Sequence, residues 1–526
     1  MNTALNPPLG VSRAASGAAR LRLILLVATT LSGGALFWVA PRPPMGDIPQ
    51  HVAQIALLHD LVTGASPWAD IVWVNWFTPY LLPHATALAL SFVMPVLVAM
   101  KLIMMFAYFG FVTAGVALRK TFRADERLDW LLMPCFFGYA WQYGFYPYIV
   151  AVPLGLFFVL LAHRYAVAPT LSRALGIFAA GVMLFFAHGL VFLFACTVGA
   201  AFLPCRMRRA GAIARALLPY VLLGVLIVGY LWFVNRNALV IPHDPGAAEK
   251  LAVWDWTGPY GWHRAYNFLL YTLATETKDW YFMLGAAFML AAPWLMGANL
   301  NRRDLHAWLP MIVILAVWFA APEEGLGISA LYQRFAVFLF PAYVLLFRAA
   351  DTARAREARS PRIWLTEALL VLLCWGYFGT LAVREYRFAI ENAPFETLLE
   401  RAEPGQRALA LIYSPESNII HNRWTYHTYA HWYQAESKGF VDFNFAFFLP
   451  DVVRFKPDRI PPVRPGPLMA EPGGFDWHKL DARLYRYFFV RHTKPLPAHL
   501  FDNDECDVRL VKSVEDWSLY ERGACR

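Results

Sequence analysis

Runs of apolar residues long enough to cross a lipid bilayer recur along the chain, and they restrict its fold more than any other feature. A bilayer core about 30 Å thick needs about 20 residues at helical rise, and only a helix or a closed barrel satisfies its own backbone there. About eleven such runs lie near 21–40, 102–118, 128–143, 147–163, 173–188, 189–204, 214–234, 281–298, 305–321, 332–348 and 364–382. The segment 83–98 reads as a further half-buried helix. The first run is long for the apolar part of a signal peptide, and "FWVAPRPPM" lacks a small-x-small cleavage pattern, so it reads as an anchor. Hydrophobic residues make up 58% of the chain and charged ones 16%, where soluble domains have about 45–50% and about 25%. The expected fold class is mostly α: a polytopic helical membrane protein of about eleven spans.

Charge orients these spans. Cations concentrate in alternate short connections, among them Arg119, Lys120, Arg123 and Arg127, then Arg206, Arg208, Arg209 and Arg215, then Arg348, Arg354, Arg356, Arg359 and Arg362. Cytoplasmic loops carry such an excess of Lys and Arg, which predicts a cytoplasmic N-terminus and an outward-facing loop 41–98. The +9 net charge is therefore mostly topology and gives no support to a nucleic-acid partner. The expected location is the inner (plasma) membrane.

Beyond residue 383 the composition changes. Residues 384–526 have shorter apolar runs and more Pro, Asp, His and Arg, which predicts a small extracytoplasmic α/β domain beside a membrane domain 1–383. "ALALIYS" and "RLYRYFFVRH" read as buried strands, "RWTYHTYAHWYQAESKG" as a helix ending at Gly439, and "VRLVKSVEDWSLYER" as a hairpin. Cys506 and Cys525 bracket that hairpin, and an oxidising compartment favours their pairing. Cys135, Cys196, Cys205 and Cys374 fall in or beside spans.

The stretch "RPPMGDIPQHVAQIALLHDLVTG", residues 42–64, places Asp47 just beyond the first span. Its plain reading is helix grammar: Asp47 as N-cap, Gln50 completing a capping-box-like pair, Pro49 in the first turn and Gly64 at the end. Polar groups also gather at the other outer ends: His51, Asn75, His84, His188, His243, Asp244, Trp254, Asp255, His263, Arg264, Glu323, Glu324, Tyr332, Gln333 and Arg334. Ionisable groups at membrane depth are costly and often mark sites. Each has a plain counterpart: His188 as a packed helix-end histidine, the two glutamates as solvated groups, Arg334 as a snorkelling cation. His427 and His431 are four apart in the outer domain, but no third ligand is set up, and packing is the favoured role. No phosphate loop, nucleophile elbow or kinase signature occurs.

With its acidic first outer loop, its many spans and its outer domain, the chain resembles the GT-C glycosyltransferases. The resemblance rests on "MGDIPQHVAQI", "YGFYPYIVAVPLGLFFVLLAHR", "FFAHGL" and "LYQRFAVFLFPAYVLLFR". It implies an inverting hexosyl- or pentosyltransferase whose donor is a polyprenyl-phosphate-linked sugar, whose acceptor is a lipid, glycan or protein, and whose catalytic carboxylate is Asp47. The second outer loop, "QYGFYPY", has no acidic residue to complete a metal site, so transfer without a metal cofactor is favoured.

Sugar transfer from a lipid phosphate passes through an oxocarbenium-like state and needs a base for the acceptor hydroxyl and a cation for the phosphate. Asp47 suits the first task and Arg334, with its guanidinium fork, the second. His51 follows Asp47 by one helical turn and shares its face; His263, Arg264, Glu323 and Gln333 are the remaining candidates for binding substrate. Three alternatives stay open: a lipid-carrier-dependent polymerase or ligase relying on Arg264 and Arg334, a transporter, and a glycan-binding protein.

Overall fold

The computed structural model describes residues 9–239, 262–302, 304–325, 329–348, 360–461 and 472–526. His243, Asp244, Trp254 and Asp255 lie outside the described residues. Among the described residues, six helices are long and apolar enough to cross a membrane: Ala19–Trp38, Val96–Thr121, Tyr146–Val167, Gly189–Arg206, Ala210–Arg236 and Pro361–Leu399.

In chain order the helices are α1 (Leu9–Ala35), α2 (Ile48–Val62), α3 (Leu81–Ser91), α4 (Val96–Thr121), α5 (Leu132–Cys135), α6 (Tyr139–Tyr143) and α7 (Tyr146–Val167). They continue as α8 (Leu171–Ala187), α9 (Gly189–Arg206), α10 (Ala210–Arg236), α11 (Trp262–Leu273), α12 (Trp280–Leu295) and α13 (Leu309–Ala320). Last come α14 (Leu339–Leu345), α15 (Pro361–Asn392) and α16 (His431–Ser437). The half-buried segment expected at 83–98 is α3, followed at once by α4.

Helix α7 is the centre of the bundle, packed against α4, α8 and α9. Its opposite is α10, the most apolar of the six, with only 11% of its central window buried. Leu218, Val221, Leu222, Val225, Val228 and Trp232 project from it into the surroundings. An apolar helix that hides so little of itself is built for lipid rather than water. The chain is a multi-pass membrane protein.

The run 128–143 is not one continuous helix. It forms a 3₁₀ turn, Glu126–Leu131, then α5, which contains Pro134, and α6, with the break between them at Phe136–Gly138. A Cβ on Gly138 would lie 2.3 Å from the Thr272 carbonyl oxygen, so the α11 backbone approaches where a side chain would stand. Irregular backbone at this depth is tolerated because it is buried in protein, as Leu131, Leu132, Met133 and Phe137 are. The run 332–348 likewise opens as a 3₁₀ turn, Gln333–Phe338, before α14.

Among the described residues the strands form three groups. β1 (Val72–Val74) pairs antiparallel with β6 (Val453–Phe455), and the short β2 (Asn299–Leu300) with β3 (Phe347–Arg348). The main sheet contains β4 (Arg407–Ile412), β5 (Phe440–Asp442), β7 (Tyr487–Arg491), β8 (Cys506–Val514) and β9 (Trp517–Cys525) in the order β5-β4-β7-β9-β8. β4 is parallel to β5 and β7, and the β8–β9 hairpin adds antiparallel strands. Cys506 and Cys525 face each other in the hairpin register and are disulfide-bonded. The helix expected across 423–439 is shorter: residues 423–430 form successive turns, and only α16 is helical before Lys438 turns left-handed at φ 52°.

The sheet domain is tied to the loop after α1. Gln50 and Gln54, one turn apart on α2, clamp the segment 443–453. Gln50 Nε2 donates to the Phe443 carbonyl at 2.8 Å, and its Oε1 accepts from the Phe445 N–H at 3.1 Å. Gln54 Nε2 donates to Asn444 Oδ1 at 3.1 Å, and its Oε1 accepts from the Val453 N–H at 3.2 Å. Both glutamines are buried, and bonds that satisfy buried amides fix the domain at one height over α2.

Candidate active site

Helix α2 begins where a turn of the bundle meets it. The Asp47 N–H donates to the Tyr143 carbonyl at 2.9 Å, immediately before Gly144. Gly144 has φ +90°, and a Cβ there would lie 2.9 Å from Asp47 N and 3.0 Å from Ile48 N. Only glycine allows this approach, which seats the first turn of α2 against the bundle.

Asp47 occupies the N-cap position, but among the described residues its carboxylate caps no backbone N–H. Nor is the capping box with Gln50 formed, because Gln50 is spent on the 443–445 backbone. The carboxylate instead lines a cavity of about 120 Å³ with His51, Tyr80, Phe145, Pro147, Ser329, Arg334, Phe445, Phe448, Pro450 and Asp451. The cavity lies between the α2 end of the bundle and the segment that the glutamines hold down. Asp47 keeps some surface toward it. Burial nonetheless pushes its pKa from 3.8 to about 7, with Arg334 pulling it back.

Arg334 reaches the cavity from the turn before α14. Its Nη2 donates to the Ser329 carbonyl at 3.0 Å, and its guanidinium carbon lies 3.6 Å from the centroid of the Phe145 ring. The arginine is 6% exposed, a planar cation held flat on an aromatic floor with part of its fork unspent. Among the described residues no hydrogen-bond partner meets its Nε.

Asp47, His51 and Arg334 thus come together from two separate segments, the start of α2 and the turn before α14. The remaining candidates do not line this cavity. Arg264 is fully buried and spends Nη1 on the Trp318 and Ala321 carbonyls, both at 2.8 Å, while lying 4.1 Å over the Tyr332 ring. It ties α11 to the end of α13. His263 is exposed beside it, at the start of α11. Glu323 accepts from Gln333 Nε2 at 2.9 Å, and that pair braces the turn leading to Arg334. His188 is the N-cap of α9, its Nδ1 accepting from the Leu190 N–H at 3.2 Å. His427 packs at a tilt against the Trp424 ring, and His431 Nδ1 bonds the Thr428 carbonyl at 3.0 Å; both are packing residues.

Sequence reasoning missed Asp451. It stands in the loop before β6, where it reads as one solvated acid among several, yet it is 3% exposed and walls the cavity. Tyr80 was missed for a similar reason, as a helix-start tyrosine. The available signal was the apolar company of Asp451 in "FNFAFFLPDVVRF".

Fold and cavity together define a class: a multi-pass helical membrane protein with a loop-borne carboxylate beneath a small C-terminal sheet region. Among solved structures, the cryo-EM structure of arabinofuranosyltransferase AftD from Mycobacteria is similar, with a TM-score of 0.53 and 11% identity over 95% of this chain and 40% of that one. A mutant form of AftD gives a TM-score of 0.48, 11% identity, and 94% and 41% coverage. The chain therefore spans about 40% of the length of AftD, and at this identity the likeness is one of fold. No family model matches the sequence, and no curated protein matches it.

Proposed function

We infer that the chain is a glycosyltransferase that moves a sugar from a polyprenyl-phosphate carrier to the hydroxyl of a lipid, glycan or protein acceptor outside the cytoplasm. The observation that carries this reading is the placement of Asp47 and Arg334 on one cavity, the carboxylate uncapped and titrating near 7 and the guanidinium partly unspent. A base is most effective when its pKa lies near the working pH, so Asp47 is matched to taking a proton from an acceptor hydroxyl as the new glycosidic bond forms. Arg334 balances the charge that develops on the departing lipid phosphate. With one base on the acceptor side and the phosphate leaving from the opposite face, inversion at the anomeric carbon is the expected outcome.

A polymerase or ligase relying on Arg264 beside Arg334 has less support, because Arg264 is committed to the Trp318 and Ala321 carbonyls. The reading is tested with the full chain in lipid nanodiscs and a panel of radiolabelled polyprenyl-phosphate pentoses and hexoses. Arabinofuranose comes first, since the solved neighbour is an arabinofuranosyltransferase. Release of polyprenyl phosphate with label entering a larger product supports the proposal. No turnover with any donor, together with unchanged envelope glycans in cells lacking the chain, overturns it.

A further inference from the structure

One side of the cavity is built in a way that base and phosphate chemistry do not require. His51 from α2, His84 from α3 and Asp451 from the loop before β6 converge there, at 3%, 0% and 3% exposure. One donor atom from each lies within 4.8 Å of the other two. The imidazoles have their centroids 5.6 Å apart.

Each residue brings an unanswered polar atom. Among the described residues no hydrogen-bond partner meets His51 Nδ1, His84 Nε2 or Asp451 Oδ1. Buried donors and acceptors are nearly always satisfied in folded proteins, so three unanswered in one place call for a ligand. The tautomer of His84 follows from its other nitrogen. Nδ1 lies 2.9 Å from the Tyr80 carbonyl oxygen, which only accepts, so Nδ1 carries the proton and Nε2 presents a lone pair to the cluster. A histidine that gives its second N–H to a backbone carbonyl is oriented as metal-binding histidines commonly are.

We propose that His51, His84 and Asp451 form a binding site for one first-row divalent transition ion, zinc fitting the donor set best. Two imidazoles and a carboxylate are the ligands of borderline-soft ions rather than of magnesium or calcium, and three protein ligands leave a position open. Donors at about 2.1 Å from one tetrahedral ion lie about 3.4 Å apart, so a cluster whose donors lie within 4.8 Å closes onto an ion when each pair approaches by up to about 1.4 Å, shared between its two side chains. Asp451 is the one carboxyl group of the trio, and so the one anionic ligand an ion would receive from it. The lack of an acid in "QYGFYPY" does not bear on this site, because its ligands come from α2, α3 and the C-terminal domain. His51 and Asp451 both line the cavity of Asp47 and Arg334, so an ion held there would stand beside the cavity into which the donor phosphate is proposed to bind. That role rests on the proposed function, whereas binding of the ion does not.

The test uses the full chain purified in detergent, stripped with a chelator, dialysed and reloaded with zinc, then assayed for metal content. About one zinc per chain is expected for the wild type, and about none after His84→Gln or Asp451→Asn at unchanged melting temperature. Cobalt(II) titration of the unaltered protein is the second measurement. Visible d–d bands that saturate at about one equivalent and are bleached by zinc support nitrogen–oxygen ligation without any variant. Wild-type protein that fails to hold stoichiometric zinc, or zinc content unmoved by both substitutions, overturns the proposal and leaves the cluster bridged by water. Asp47→Asn should retain the metal while losing turnover, so failure of the metal site and failure of the glycosyltransferase reading are recorded separately.

Discussion

Exchanging Asp47 for asparagine separates chemistry from folding at the centre of this protein. Folding raises the carboxyl pKa from 3.8 to about 7, chiefly through burial. A carboxyl raised in this way binds its proton more tightly in the folded state. The stability it contributes is therefore fully present below the unfolded value and is lost as pH rises from about 4 to about 7. A difference of about three pK units corresponds to about 4 kcal/mol, carried as a cost at neutral pH and above. Asparagine is uncharged throughout this range, and the carboxylate it replaces caps no N–H. Asp47→Asn should therefore match the wild type near pH 4, and at about pH 8 it should melt no lower and most plainly higher. Turnover should fall by about 10²–10⁴-fold, the usual contribution of a general base. The rising limb of the rate profile near pH 7 should also vanish. The assays are thermal melts across that pH range and initial rates of label transfer on the same preparations. Near-normal turnover would reduce Asp47 to a helix-start residue. A lower melting temperature at about pH 8 would refute the argument in another way, since the carboxylate would then be stabilising the fold through Arg334.

Four further outcomes are expected. Arg334→Lys keeps the charge but loses the fork and the stacking on Phe145, so kcat/KM for the lipid donor should fall about 10–100-fold with melting unchanged, read from rates at varied donor concentration. Gly144→Ala forces a side chain against Asp47 N and Ile48 N at a positive φ; a stability loss of about 1–3 kcal/mol and reduced turnover should appear in melts and transfer assays. The double change Cys506→Ser with Cys525→Ser opens a link with a sequence separation of 19. It should cost the sheet domain about 3 kcal/mol, seen as faster limited proteolysis, while alkylation of the wild type without reductant finds neither thiol. Reporter fusions should place Arg526 on the opposite side of the membrane from Arg123; both on one side would refute the charge-based topology.

Much of the architecture was legible because it is written in local pattern. Apolar run length identifies α1, α4, α7, α9, α10 and α15, since each span must satisfy its own backbone within a fixed bilayer thickness. The terminal hairpin was equally readable from two strand-like stretches around Asp516, as was the pairing of the cysteines that bracket it. Where three-dimensional packing replaces the bilayer as the solvent, that logic fails. The run 128–143 is apolar enough for a span, yet it breaks at Phe136–Gly138, where neighbouring helices bury the irregular backbone.

The candidate site divides along the same line. Asp47, His51 and Arg334 could be picked out from sequence because charge beside a span is costly and therefore conspicuous. What each does with its polar atoms is decided by partners far away in the chain. Gln50, a natural capping residue by position, instead holds a backbone 393 positions later. Arg264 looks the equal of Arg334 in sequence but is consumed by two carbonyls at the end of α13. Asp451 becomes a wall of the cavity only because two glutamines of α2 lower its segment onto the bundle. The sequence by itself determined the long apolar helices and the strands of the C-terminal sheet, because those follow from run length and periodicity within one segment. Only the tertiary structure decided which polar groups meet, because a buried hydrogen bond is assigned by proximity in space, and proximity between segments hundreds of residues apart leaves no local trace.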